Sequence, residues 1–201
     1  MSESNLLPPS RFHEHFVSTN RLFEHGFERW VFLPGMLFGS LDRWWGAGGG
    51  RESPHEGLDI CYYRTAEDTI CHLGEHAHVP VMFGGRVMRI IDDFLGRSMF
   101  VMHESVSRDC DHLYTVYGHT TPNPNIHAGV AVNEGEILGT IAAANGRGHS
   151  IASHLHVSVA WVADTLLAEE LDWTMMSDRT KASLVDPLSL IRCPYAVVSR
   201  L

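Results

Sequence analysis

Long stretches of any one character are missing from this chain of 201 residues. A formal net charge of -9 comes without a basic run, which argues against a surface that tracks phosphates and so against nucleic acid as a partner. The longest apolar run, WVFLPGMLFG, is short and is broken by Pro34 and Gly35, so no transmembrane segment is expected. The opening MSESNLLPPSRFHEH lacks a basic start followed by an apolar core. No export signal is recognisable there, and a soluble chain is expected. Its location stays open: envelope or secreted if a leader was removed or another export route is used, and otherwise cytoplasmic. Cysteine is scarce, and Cys61, Cys71, Cys110 and Cys193 form neither a CxxC pair nor a zinc-ribbon spacing. They read as buried small hydrophobes or free thiols, with a Cys61–Cys71 disulfide as the alternative. There is no internal repeat, no low-complexity tract and no HExxH helix.

What is present is an ordinary globular composition, 44% hydrophobic and 19% charged, with 14 histidines as the outlier. Ser10 to Phe27 carries Phe12, Phe16, Leu22, Phe23 and Phe27 at mixed three-to-five spacing, which predicts one helix or two short ones. Trp44, Trp45 and GAGGG then form a loop. From about Gly57 to Val159 the pattern changes to short strands punctuated by Gly, Pro and Asn: LDICYY, VPVMFGGRVMRII, RSMFVMHESV, HLYTVYGHT, GVAVNEGEILGTIAA and HLHVSVAWV. That spacing predicts an antiparallel β core. ADTLLAEELDWTMM then reads as a helix, and LVDPLSLI as an extended tail. The expected organisation is an N-terminal extension over residues 1–52, packed on a mainly β domain over 53–201.

Three short stretches carry the chemistry. In SHLHVSVAW, His154 and His156 lie two residues apart at the head of a predicted strand and so share one face, with α-carbons roughly 6.5 to 7 Å apart. In PHEGLDI, His55 and Asp59 flank Gly57 where a turn feeds a strand. In YTVYGHTT, alternation places Leu113, Thr115, Tyr117 and His119 on one face, with His119 at the strand end. Zinc accepts imidazole and carboxylate ligands, and a catalytic site supplies three of them and leaves the fourth position to water. His55, Asp59 and one member of the HLH pair complete such a set.

In this order, His55-Glu56-Gly57-Leu58-Asp59, Tyr117-Gly118-His119 and His154-Leu155-His156 resemble the lysostaphin and LytM type of zinc metallopeptidase, endopeptidases that cut peptide cross-links of bacterial cell walls. The resemblance runs from about Pro54 to Ile191 and includes VPVMFGGRV, VNEGEILGTI and VDPLSL. It implies the antiparallel, barrel-like sandwich core of that family (the duplicated hybrid motif), with a helical N-terminal extension and a helical insertion near the C-terminus. It further implies that His55, Asp59 and His156 hold one Zn2+ per chain, and that His119 and His154 flank the water that attacks a peptide, with peptidoglycan as the substrate. An imidazole can deprotonate that water or, when protonated, stabilise an oxyanion. Thr120 and Ser153 depart from the family's usual leucine and proline, which touches substrate fit more than metal binding.

Taken singly, His119 reads as a structural residue; the two companion motifs make it catalytic. His72, His76 and His78 form an HxxxHxH cluster that reads as solvated loop histidines, with an adventitious metal site as the alternative. Glu56 reads as a surface carboxylate, and Trp44 and Trp45 as packing for the N-terminal segment. Tyr117 reads as core, with a place on the substrate rim as the alternative. Asn145, Arg147 and His149 form either a substrate rim or a polar connection. Two other functions compete: a silent LytM-like binding or regulatory module, and a zinc store or sensor that uses the excess of histidine and holds several ions.

Overall fold

The computed structural model describes residues 7–144 and 151–201. The N-terminal segment forms α1 (Phe12–Thr19) and a 3-10 turn (Leu22–His25), the two short helices the aromatic spacing allows. Phe12 and Phe16 are buried on α1, and Asn20 ends it by returning its amide to the Phe16 carbonyl. The strands follow as β1 (Phe27–Phe32), β2 (Leu58–Ile60), β3 (Tyr62–Thr65), β4 (Ile70–His72), β5 (His78–Pro80), β6 (Gly85–Asp92), β7 (Arg97–Arg108), β8 (Asp111–Pro122), β9 (Ala131–Val132), β10 (Ile137–Ile141), β11 (Leu155–Ala163), β12 (Ala182–Val185) and β13 (Tyr195–Val197). Two short helices, α2 (Trp173–Ser177) and α3 (Pro187–Ile191), lie on either side of β12. The fold is mainly β, as expected.

A small sheet has the order β13-β1-β3-β4, and a large one has β12-β11-β8-β7-β6-β9, with β2 added to β11 and β10 bridging β8 and β5. All pairs are antiparallel except β1 with β13. Because strand side chains alternate, the large sheet has two apolar faces to cover. On one face, Leu113, Tyr117, Val157, Val159 and Trp161 pack with Phe12, Phe16 and Trp30; the Phe12 ring lies 6.3 Å from that of Tyr117. On the other, Phe100, Val116, Ala160 and Val162 lie beneath Leu171, Met175 and Met176. The chain after β11 therefore roofs the second face, and the site forms at the edge of that roof.

Two local readings need correction. ADTLLAEELDWTMM is not one helix: a 3-10 turn (Ala168–Glu170) precedes α2, whose cap is Asp172 accepting from Met175 N at 2.7 Å. The Arg89 guanidinium binds the carbonyls of Glu169 and Leu171, so these acceptors serve the sheet and not a continuous helix. LVDPLSLI is extended only to Val185; Asp186 caps α3 by accepting from Leu188 N at 2.9 Å, with Pro187 in the first turn. An Asp-Pro pair is a helix-start signal by its own chemistry.

Candidate metal centre and flanking histidines

Strand register assembles the centre. In the β2–β11 pair His156 lies opposite Asp59, and in the β11–β8 pair it lies opposite Gly118. His55 enters from the turn before β2, buried like Asp59 and His156. His55 Nε2, Asp59 Oδ1 and His156 Nδ1 stand 3.1, 3.2 and 2.8 Å from one another, a group of three that could hold a metal ion. Ligands at zinc bond lengths of about 2.0–2.1 Å in a tetrahedron are about 3.3 Å apart. Hydrogen placement fits as well. His55 Nδ1 donates to the Leu37 carbonyl at 3.1 Å, which leaves Nε2 bare. Ser158 Oγ sits 2.8 Å from His156 Nε2 and can take its hydrogen, leaving Nδ1 bare. Three acceptors then converge with no hydrogen among them, and a cation completes that arrangement.

Outer partners fix the carboxylate. Trp44 Nε1 donates to Asp59 Oδ2 at 2.7 Å, and the Arg51 guanidinium lies 3.7 Å from the same oxygen, so Oδ1 is the one turned to the centre. Burial opposes ionisation of Asp59, but the neighbouring imidazoles of His55 and His154 hold its carboxyl well below the usual range. Trp44, read from the sequence as packing, is thus part of the site. Its ring also meets His154 edge-on at 5.1 Å.

His154 and His156 share a face, as their spacing requires. His154 Nδ1 donates to the Ala152 carbonyl at 2.8 Å, and Nε2 looks toward Asp59 Oδ1 from 3.7 Å. Burial pushes the His154 pKa down to about 4, against the pull of Asp59, so the ring is neutral at neutral pH. His119 joins it, with ring centroids 4.7 Å apart, and lies 5.9 Å from His156. Alternation put His119 on the face of Tyr117, and that assignment is overturned. His119 has φ of 62°, in the left-handed region, and the β7–β8 register shifts between Arg97 and Met99. The side chain is thereby turned onto the opposite face, among His154 and His156. A non-glycine residue there costs about 1–2 kcal/mol.

A cavity of about 220 Å³ opens over these groups, walled by Trp45, Arg51, Phe94, Ile151 and Trp173. Arg51 stacks on Trp45 at 4.6 Å, and Trp173 stands edge-on to His156 at 5.1 Å. Asp93, Phe94 and Trp173 went unrecognised in the sequence, because each comes from a turn or helix whose own pattern says nothing of the site. Glu56 also lines the cavity and is half-buried, accepting from the Ser177 hydroxyl at 3.2 Å. Asn145, Arg147 and His149 lie outside the described residues.

Tyr117 does not reach the rim. It is fully buried on the α1 side, where its hydroxyl accepts from Met82 N at 2.6 Å and bonds with Thr115 Oγ1 at 3.0 Å, and Thr115 in turn meets His103 Nε2 at 2.9 Å. Tyr117→Phe leaves the Met82 N–H without its acceptor. The expected result in urea unfolding is a loss of about 1–3 kcal/mol of stability; an unchanged midpoint would contradict this placement.

Among the described residues, the other histidines do not gather a metal. His76 is exposed beside Glu75 at 3.6 Å, while His72 Nε2 donates to the Ser153 carbonyl at 2.9 Å. Among the described residues, His55, Asp59 and His156 make the one group fit for an ion. All four cysteines are free, so the disulfide alternative is not realised.

No family model matches the chain, and no curated protein matches its sequence. Solved structures do resemble it. The solution structure of lysostaphin is 16% identical, with 83% of this chain and 59% of that one covered and a TM-score of 0.46. A candidate M23 peptidase from Pseudomonas aeruginosa is 20% identical, with 90% and 60% covered and a TM-score of 0.42. The catalytic domain of the prophage-encoded M23 protein EnpA from Enterococcus faecalis is 18% identical, with 60% and 81% covered and a TM-score of 0.38. The chain spans 59% and 60% of the length of the first two. At these identities and scores the likeness establishes no activity.

Proposed function

We propose that this chain is a zinc-dependent metalloendopeptidase that hydrolyses peptide bonds in peptidoglycan stem or cross-bridge peptides. The observation that carries the reading is the convergence of His55 Nε2, Asp59 Oδ1 and His156 Nδ1 beside two further imidazoles under an open cavity. Two imidazoles and a carboxylate suit zinc, and three protein ligands leave a position free. Zinc held there supplies Lewis acidity, polarising a carbonyl oxygen and making water acidic near neutral pH. The chain's own part is to hold protons in place. His154, with Nδ1 committed to the Ala152 carbonyl, presents Nε2 as an acceptor for the proton of an attacking water. The proton that His154 takes is the one returned to the leaving amine, while His119, alongside it, presents its ring to the same space and can accept a hydrogen bond from the attacking water. Trp45, Phe94 and Trp173 wall the cavity against solvent.

The order HxGxD, YGH, HLH supports a wall peptide as substrate, since it is the order of the lysostaphin and LytM type; a wall substrate in turn implies action in the cell envelope. Residues 53–201 form the catalytic unit in this reading. Trp44 and Leu37, from the stretch before it, support the centre by hydrogen bonds with Asp59 and His55.

The test is mass spectrometry of products after the zinc-loaded protein is incubated with purified sacculi, beside His154→Ala. New amino termini at a defined peptide bond are expected from the wild type. The variant is expected to keep its zinc and to lose about 10²–10⁴-fold in rate, the usual contribution of a general base. No cleavage in spite of one bound zinc would transfer the weight to a binding module.

A further inference from the structure

One carboxylate, on the turn between β6 and β7, grips His119 twice. Asp93 Oδ2 accepts the His119 backbone N–H at 2.8 Å, and Oδ1 accepts from its ring Nδ1 at 3.1 Å. The same oxygens close their own turn, Oδ1 taking the N–H groups of Leu95 at 2.9 Å and Gly96 at 2.7 Å. Oδ2 also accepts the Ser98 hydroxyl at 2.7 Å, and Ser98 Oγ accepts the Trp173 indole N–H at 3.1 Å. The Asp93 side chain is only 3% exposed, so this set of donors replaces water around it.

We propose that Asp93 is a positioning residue for His119: it holds the left-handed backbone that turns the ring onto the site face, and it fixes the ring with Nδ1 protonated and Nε2 bare. The inference rests on His119 being a hydrogen-bond acceptor for the attacking water, as read above. A strained conformation persists where its surroundings over-determine it, and Asp93 binds both the backbone and the ring of the strained residue. An ionised carboxylate only accepts, so the hydrogen between Asp93 and the ring belongs to Nδ1, and the hydrogen bond is charge-assisted. That commitment leaves the Nε2 lone pair as the free valence of the ring, which His154 and His156 adjoin. Burial alone would raise the Asp93 carboxyl, but its bonds to His119 and Ser98 hold it below the usual carboxylate range, in keeping with an ionised partner. Through Ser98 the same carboxylate sets Trp173, so one turn registers both His119 and the wall of the cavity. Asp93 lies on no recognised motif, and its contribution follows from the fold alone.

The direct test is a long-range 1H–15N spectrum of the imidazoles in the zinc-loaded full chain. The expected wild-type His119 has a protonated Nδ1 and a bare Nε2; the reverse tautomer overturns the proposal without any variant. In Asp93→Ala the ring is released and the population is expected to move to the Nε2–H form. The kcat for the peptide cleaved in sacculi is expected to fall about 100-fold with KM within about twofold, the scale of a misplaced reacting group. Asp93→Asn keeps an acceptor for the turn but not the charge, and a fall of about tenfold is expected; it serves as the second variant should alanine not fold. An unchanged tautomer or an unchanged kcat in a folded variant overturns the proposal. If the wild type cuts no peptide, the enzymatic reading fails on its own, and the tautomer still decides the role of Asp93.

Discussion

Asp59→Ala is expected to lose its metal and its hydrolytic activity together. Asp59 Oδ1 lies 2.8 Å from His156 Nδ1 and 3.2 Å from His55 Nε2, so it is the one anion among the three ligand atoms. Without it two neutral imidazoles remain, a site with neither the charge nor the third donor that zinc centres use. Removal of an outer partner of a ligand costs about 10–100-fold in metal affinity; removal of the ligand itself should exceed about 100-fold. Isothermal titration of the metal-stripped protein with zinc checks this. Tight binding retained by Asp59→Ala would mean that the ion, if any, sits elsewhere. The indole N–H of Trp44 also loses its acceptor in this variant, so a moderate fall in stability accompanies the loss of metal.

Gly57→Ala is expected to be nearly as damaging, for a reason that has nothing to do with ligand chemistry. A Cβ at position 57 would stand 2.3 Å from the Val157 carbonyl oxygen, 2.7 Å from His156 Nε2 and 2.7 Å from Ser158 Oγ. Two of those atoms form the hydrogen bond that orients the His156 ring, and the third is backbone of a central strand. The methyl can be admitted only by moving β11 away from the turn that carries His55. Overpacking of a close contact typically costs about 1–3 kcal/mol, and a clash with backbone belongs at the top of that range. At about 2–4 °C per kcal/mol for a chain of this size, calorimetry should show a Tm lower by roughly 6–12 °C. Zinc affinity should fall by about 10–100-fold as the outer support is lost. A variant with wild-type Tm and zinc affinity would contradict the packing of this turn on β11. The glycine of the HxGxD pattern is thus a close-approach position, and no left-handed backbone is involved.

Local periodicity made the meeting of His55, Asp59, His154 and His156 legible and left their surroundings hidden. His154 and His156 share a face because strands repeat every two residues, and His55 and Asp59 meet them because β2 pairs with β11 in a register that sets Asp59 opposite His156. The strands of the core were marked by turn residues between apolar runs. Alternation failed at His119, since a single left-handed residue reverses the face of the side chain, and nothing in YTVYGHTT announces it. Asp93, Trp44 and Trp173 come from separate turns and a short helix, and their meeting is a property of tertiary packing with no periodic signature. The stretch from Ala163 to Met176 has helical composition, yet it lies across a sheet face where Arg89 competes for its carbonyls. The Asp186-Pro187 start of α3 was visible in principle, as an N-cap followed by proline.

The most direct measurement of the central claim is zinc K-edge X-ray absorption on the purified chain, with the metal counted per chain by mass spectrometry. One zinc per chain is expected, in a shell of nitrogen and oxygen alone at about 2.0–2.2 Å and with two imidazole signatures. Sulfur at about 2.3 Å, or several zinc ions per chain, would contradict the assignment to His55, Asp59 and His156, and would direct attention to the cysteines or to the remaining histidines.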